Sequence, residues 1–186
     1  MSKIALTPNA SGTGIFTISS PATNTNRTLT LPDEAGTVDL LQRAGNVLQV
    51  VQTITKTSYS TTSSSWTPLC DSCLITPTSA SSKFVILFTG MMQVPSGADN
   101  FVSILRTVGG VTTPVEEYGA SRGMFTSEDI SGWIPIILTV LDSPATTSQI
   151  NYRVGGKSAD GDTIVSLDYG TNGGMFMSTV VMEIAG

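Results

Sequence analysis

The chain has no histidine, only two cysteines and few charged side chains, which make up 12% of its 186 residues. Without histidine, Ser-His-Asp triads and most zinc sites are excluded. The net charge of −5 argues against a basic surface that binds nucleic acid. No apolar run reaches the ~18 residues of a membrane span, and the start of the chain has no apolar signal segment. We therefore expect neither a nucleic-acid partner nor membrane insertion.

The shortage of charge has a structural implication. In typical soluble domains about a quarter of the residues are charged. A chain with so few either hides much of its surface in permanent contacts or carries a hydroxyl-rich β exterior. We therefore predict that this chain forms oligomers. Identical copies are the expected subunits, because most soluble oligomers are homo-oligomers.

The two cysteines are close together, in the sequence Cys70-Asp71-Ser72-Cys73. One interpretation is a redox pair or half of a zinc site. A redox pair is expected to open a helix, whose N-terminus lowers the pKa of a thiol. Here Pro68 precedes the pair, and the strand-like residues 74–76 follow it. We predict two ordinary strand or turn cysteines and no cofactor.

From Val47 onwards, runs of strand-forming residues alternate with turn residues. Val108-Gly109-Gly110-Val111 predicts a two-residue hairpin, because glycine supplies the positive φ that such a turn needs. About nine strands without a convincing helix predict an all-β fold, an antiparallel jelly-roll-like β-sandwich. The predicted strands are Val47–Thr57, Leu74–Thr76, Lys83–Val94, Phe101–Val108, Val111–Tyr118, Trp133–Asp142, Ser148–Val154, Thr163–Asp168 and Met175–Ile184.

The first part of the chain predicts a separate, extended β module. Alternating runs at 15–18 and 27–31 flank a polar bend, and a module this short needs copies of itself or a larger assembly to pack against. Residues 37–51 predict a turn or one to two helical turns up to Ala44, where Gly45-Asn46 interrupts the pattern. We predict a β module and neck at 1–45 and a β-sandwich at 46–186.

Two predicted strands are apolar at every position, residues 84–88 and 133–138. A strand of an antiparallel sheet with one wet face alternates instead. These strands therefore lie at the centre of a monomer, buried on both faces, or a neighbouring subunit covers their second face.

We find no convincing catalytic group. Glu116-Glu117, Glu128-Asp129 and the pair Asp160 and Asp162 contain neighbouring carboxylates, but adjacency in sequence does not place two carboxylates across a cleft. Glu116 and Glu117 would point to opposite faces of a strand. Glu128-Asp129 predicts a polar loop, and Asp160 and Asp162 flank the glycine of a predicted tight turn. We predict that the protein is not an enzyme and that residues 119–132 form its main candidate contact loop.

Two parts of the chain resemble a known family. Residues 14–39, with Asn-Arg-Thr-Leu-Thr-Leu-Pro-Asp at 26–33 and Gly-Thr-Val at 36–38, resemble a short module of tail-fibre and other virion structural proteins of tailed bacteriophages. The rest is similar to the C-terminal β domain that often follows this module. The stretches that carry this second likeness are Val47–Gln52, Ile75–Lys83, Leu141–Ser148 and Met182–Gly186.

The resemblance implies a homotrimeric appendage on the virion surface, assembled in the cytoplasm of the bacterial host. Its N-terminal module docks on other virion proteins, and its β domain projects outward, towards a glycan or protein of the host surface. Many fibres have a long repetitive shaft, which this chain lacks. That difference favours a short tail fibre, a spike or a head decoration over a long fibre.

We assign candidate residues to these roles. The candidate virion-docking residues are Phe16, Ile18, Leu29, Leu31 and Val38. The candidate host-contact residues are Asp99, Asn100, Tyr118, Arg122, Phe125, Tyr169 and Asn172. Two other functions stay open, a capsid decoration protein or head fibre without a receptor role and a polysaccharide depolymerase.

Overall fold

The structure is a computed structural model, and it describes residues 10–15, 17, 19, 22–26, 28, 43–94, 100–116, 125–127, 132–161, 163–166 and 177–186. Residues Met1–Val38 and Asp39–Gly186 form two compact units. In the first unit the described residues are exposed. The predicted helical turns at 37–42 and most of the predicted N-terminal strands lie outside the described residues.

The second unit is all-β, as predicted. No described residue lies in a helix. The strands are β1 (Val47–Thr55), β2 (Tyr59–Thr61), β3 (Thr67–Pro68), β4 (Cys73–Ile75), β5 (Lys83–Val94), β6 (Asn100–Val108), β7 (Val111–Pro114), β8 (Phe125–Ser127), β9 (Gly132–Asp142), β10 (Ile150–Ser158), β11 (Ile164–Ser166) and β12 (Met177–Ile184).

These strands form two six-stranded sheets. The first sheet has the order β1-β12-β5-β11-β2, and β9 also pairs with β5. The second has the order β3-β10-β6-β7, with β4 paired to β10 and β8 paired to β6. Every pair among the described strands is antiparallel. The two sheets are the basis of a sandwich-like arrangement.

The hydrophobic core contains side chains from both sheets. Phe84, Ile86 and Phe88 alternate along β5 and are fully buried, while Ile104 and Val154 contribute from the second sheet. The ring centroids of Phe84 and Tyr152 are 6.0 Å apart. Burying one such side chain contributes about 1.5–3 kcal/mol, so this core accounts for the close association of the sheets.

Two glycine pairs have different structural roles. Gly109 and Gly110 have φ values of 57° and 82° and form the predicted hairpin between β6 and β7. Gly155 and Gly156, which follow the predicted end of a strand at Val154, lie inside β10. A Cβ atom at Gly155 would come within 2.2 Å of Leu105 Cδ1. Close packing, and not a turn, explains this second pair.

Other strand boundaries also differ from the prediction. β2, β3 and β8 were not predicted; each has only two or three residues, and β2 lies in a Ser- and Thr-rich stretch. β7 ends at Pro114, so the strand predicted to reach residue 118 is shorter. Hydroxyl side chains give weak periodic signals, which explains why the shortest strands were missed.

A partly buried ion pair joins the two sheets. Asp142, at the end of β9 in the first sheet, accepts hydrogen bonds from Arg106 Nη1 and the Tyr152 hydroxyl of the second sheet, both at 2.7 Å. The backbone N–H of Ser143 donates to the same carboxylate at 2.8 Å. Burial, and then the hydrogen bond to Asp142, raise the pKa of Tyr152. The hydroxyl therefore stays protonated and continues to donate.

A second buried carboxylate holds the segment between β4 and β5. Glu183 of β12 is fully buried and accepts hydrogen bonds from the Gln49 amide and from the backbone N–H and hydroxyl of Thr78. Burial raises the pKa of Glu183, but polar contacts from Ser82, Gln49 and Thr78 outweigh it and leave the pKa below the ordinary 4.5. Glu183 is therefore a charged anchor inside the first sheet.

Removing the charge of Asp142 tests the link between the sheets. We expect Asp142→Asn to lower the free energy of unfolding by about 2 kcal/mol, because it leaves the Arg106 charge without its partner. Tyr152→Phe, which removes one donor only, should cost about 1 kcal/mol. Urea unfolding measures both. Wild-type stability of Asp142→Asn would contradict this role.

The Glu183 anchor predicts a pH dependence of stability. A carboxylate whose pKa is lowered by folding stabilises the native state above its unfolded pKa, and this contribution is lost as the pH falls through the native pKa. We expect the free energy of unfolding to decline between about pH 5 and pH 3. Glu183→Gln should reduce this decline and cost about 1–2 kcal/mol at neutral pH. The exposed control Glu116→Gln should retain it; equal profiles for both variants would contradict the prediction.

Candidate functional site

The outward-facing side of the first sheet is apolar on four neighbouring strands. Along β5 the buried residues alternate with Val85, Leu87 and Met91, which are half-buried and point away from the core. Along β9 the outward positions include Ile137 and Leu141, whose side chains are 74% and 57% exposed. The continuously apolar segments seen in the sequence are thus strands with one buried and one outward-facing apolar side.

Strand register aligns these residues into rows. Residues opposite each other in an antiparallel pair share a face, so their side chains are neighbours. One row runs Val50, Met182, Val85 and Leu141 across β1, β12, β5 and β9. We define the apolar outer face by its apolar members, Val50, Ile54, Val85, Leu87, Met91, Pro135, Ile137, Leu141, Val180 and Met182.

The polar residues in these rows are uncharged. Gln52, Thr89, Thr139 and Ser178 complete the rows, and the Gln52 amide donates to the Ser178 hydroxyl at 2.9 Å. Lys83 lies at the rim, opposite Ile184. This face is therefore suited to contact with another apolar surface and not to binding a charged ligand.

The outer side of the second sheet differs. Phe101, Ser103 and Leu105 point away from the core, yet each is buried. The Ser103 hydroxyl donates to the Glu116 carbonyl at 2.9 Å, so the segment after β7 crosses this side. The Lys157 ammonium lies 4.6 Å from the centroid of the Trp66 ring. In the second sheet these outward positions are thus covered, whereas those of the first sheet are half-buried or exposed.

The structure brings few of the predicted contact residues onto its described surface. Asn100, a candidate host-contact residue, begins β6 and is fully buried, so its side chain is not in an exposed loop as the prediction required. It pairs with Ser158 of β10, whose strand the sequence analysis ended too early. Phe125 begins strand β8 and pairs with Val102. The other host-contact candidates, Asp99, Tyr118, Arg122, Tyr169 and Asn172, lie outside the described residues.

The virion-docking candidates also lie outside the described residues. They are Phe16, Ile18, Leu29, Leu31 and Val38. Ile15, their described neighbour, is 93% exposed. The sequence signal that best indicates the apolar outer face was the pair of continuously apolar strands, although the individual residues that form it were not selected.

Both cysteines are buried and unbridged, which confirms their interpretation as ordinary strand or turn residues. The Cys70 sulfur accepts a hydrogen bond from the backbone N–H of Val154 at 3.1 Å. Burial raises the pKa of the Cys70 thiol to about 11, and burial also raises the pKa of Cys73. Neutral, inaccessible thiols are unsuited to redox exchange, which requires a thiolate.

The carboxylates offer no ligand cluster within the described part of the chain. There, no group of three or more Cys, Asp or Glu residues is placed to hold a metal ion. Glu116 and Asp160 are exposed, while Asp142 and Glu183 are committed to the contacts described above. Among the described residues, none belongs to a helix that is long and apolar enough to cross a bilayer.

Comparison with known proteins gives little further information. No protein-family model and no curated protein matches the chain. A solved structure of infectious bursal disease virus, Gx strain, is similar to 75% of this chain, with 13% identity and a TM-score of 0.34. The similar region spans 38% of the viral chain. A likeness at this level carries no argument about fold or function.

The cysteine environment predicts slow thiol chemistry. In the native protein at pH 8, neither Cys70 nor Cys73 should react with a thiol reagent within minutes, because both are buried and protonated. Two thiols should react in denaturant without added reductant. Val111→Cys, at a position that is 67% exposed, supplies a fast-reacting control. Rapid native reaction, or two thiols that appear only after reduction, would contradict this description.

Proposed function

We propose that this protein is a structural component of a tailed bacteriophage particle, a short tail fibre or spike on the virion surface. Its N-terminal module docks on other virion proteins, and its jelly-roll-like β domain forms a homotrimer that presents loops to the host surface. The observation that carries the proposal is the apolar outer face of the first sheet, which suits permanent contact within an assembly. The resemblance of residues 14–39 and of the β domain to virion structural proteins supports the same function.

The composition fits a surface that is largely covered by other chains. Charged residues are 12% of the sequence, and they are missing from the four rows of the apolar outer face. Interfaces are depleted of charge at their centres. A protein that remains in a particle after assembly keeps such a face covered throughout its lifetime.

A trimer would strengthen weak attachment to the host. Three identical contact sites on one appendage raise the effective concentration of each site once one of them is bound. Avidity of this kind requires no deep pocket and no charged cluster. The N-terminal module attaches the protein to the particle. Ile15, an exposed apolar residue of that module, is available for this contact.

A capsid decoration protein is the second candidate, because it needs the same covered apolar face. The two functions differ in where the protein is found on the particle. A fibre or spike belongs to the tail, whereas a decoration protein belongs to the head.

Gold-labelled antibodies against the whole protein, applied to purified particles of the phage that encodes it, test the proposal by electron microscopy. We expect labels on the tail of intact particles, because a fibre or spike is exposed there. Labels on the head would contradict the tail fibre or spike and support the capsid decoration protein instead. Unlabelled particles, together with the absence of its peptides from their mass spectra, would overturn both. An unrelated phage that lacks the gene is the control.

A further inference from the structure

We infer that copies of this chain meet through the apolar outer face, with each copy presenting the same face to the others. The inference rests on the proposed function, in which this face is used for assembly, and it identifies the partner as a second copy. Its evidence is the extent of the face, its lack of charge and the condition of the two sheet edges beside it.

The face is large enough for such a contact. Three rows cross all four strands, and a fourth, Met91 and Pro135, lies on β5 and β9 only. With strands about 4.8 Å apart and rows about 6.8 Å apart, the face covers roughly 450 Å². Two whole faces in contact would bury about 900 Å², close to the ~1,000 Å² of a specific protein interface, and in the proposed homotrimer each face is divided between two neighbouring copies. Its most exposed members, Val50, Ile137 and Leu141, lie on the outermost strands, β1 and β9, so the apolar character extends across the sheet.

A surface that meets itself must avoid placing like charges opposite each other. The chain carries a net charge of −5, so contact between acidic surfaces of two copies would be repulsive. The four rows contain only apolar residues and uncharged polar ones, and Lys83 is at the rim. This face therefore allows identical copies to approach without electrostatic cost.

The edges of the first sheet favour contact by the face and not by strand addition. β9 is an edge strand, and Pro135 removes an N–H group from it, which opposes pairing with another strand. At the other edge, two side chains of β1 contact the connection between β3 and β4: Thr53 donates to the Ser72 carbonyl, and the Asp71 N–H donates to Thr55 Oγ1. Pro135 therefore opposes strand addition at β9, which leaves the apolar outer face as the surface for contact on that side.

Charge substitution on the face tests the inference. We would compare the wild-type protein with a variant carrying Ile137→Glu and Leu141→Glu by sedimentation at micromolar concentration. The wild type should have a multiple of the 19.4 kDa chain mass, and the double variant should have the mass of one chain. We expect its dissociation constant to rise at least 100-fold, because carboxylates would be buried against one another.

Val111→Glu is the matched control. Val111 is similarly exposed but lies on β7 of the second sheet, so its variant should keep the wild-type mass. Circular dichroism spectra like that of the wild type would show that the variants remain folded. A monomeric wild type, or a double variant that keeps the wild-type mass, would overturn the inference.

A mixing experiment tests whether like faces meet. A second double variant, Ile137→Lys with Leu141→Lys, should also be monomeric alone. When mixed with the glutamate variant it should associate, because opposite charges then face each other across the interface. No association on mixing would overturn contact between like faces. These results are independent of particle labelling: unlabelled particles with an intact oligomer would refute only the virion proposal.

Discussion

The free-energy cost of exposing the apolar outer face to water is the constraint on which this account depends. β5 lies inside the first sheet, with Phe84, Ile86 and Phe88 against the core and Val85 and Leu87 on the opposite side. At about 25 cal/mol per Å², covering the roughly 300 Å² of apolar positions on this face contributes about 8 kcal/mol for each copy. Lost freedom on association offsets much of that gain. Our inference is that identical copies supply the cover.

The interior prepares this face for assembly by holding the first sheet in place. Asp142 joins it to Arg106 and Tyr152 of the second sheet, and Glu183, near the end of β12, fixes the segment around Thr78. Each carboxylate has its hydrogen-bond acceptors occupied, which a buried charge requires. A sheet that is already rigid loses little conformational entropy when another surface binds. The buried polar contacts would therefore favour the assembly that we propose.

The sequence predicted the long elements of the fold better than it predicted the candidate site. β5 was predicted with its observed bounds, because a long apolar run between turn residues is unambiguous. The strand that corresponds to β10 was predicted to end at Val154, because Gly155 and Gly156 follow it; close packing of Gly155 against Leu105 selects glycine just as a turn does. Asn100 was placed in an exposed loop, whereas it begins a buried strand. Of the apolar outer face, only the doubly apolar strands were predicted. The rows across the sheet depend on the register between β1 and β12, and these two strands are more than 100 residues apart in the sequence.

Solvent access to the Ile137 methyl groups is the most direct measure of whether the face is covered. A soluble paramagnetic reagent broadens the NMR signals of methyl groups that water reaches, and Val111 and the buried Ile136 provide the two reference values. Our account predicts that, in the wild-type protein at assembling concentrations, Ile137 is protected like Ile136. Broadening of Ile137 to the extent seen for Val111 would show an uncovered face and would contradict the account.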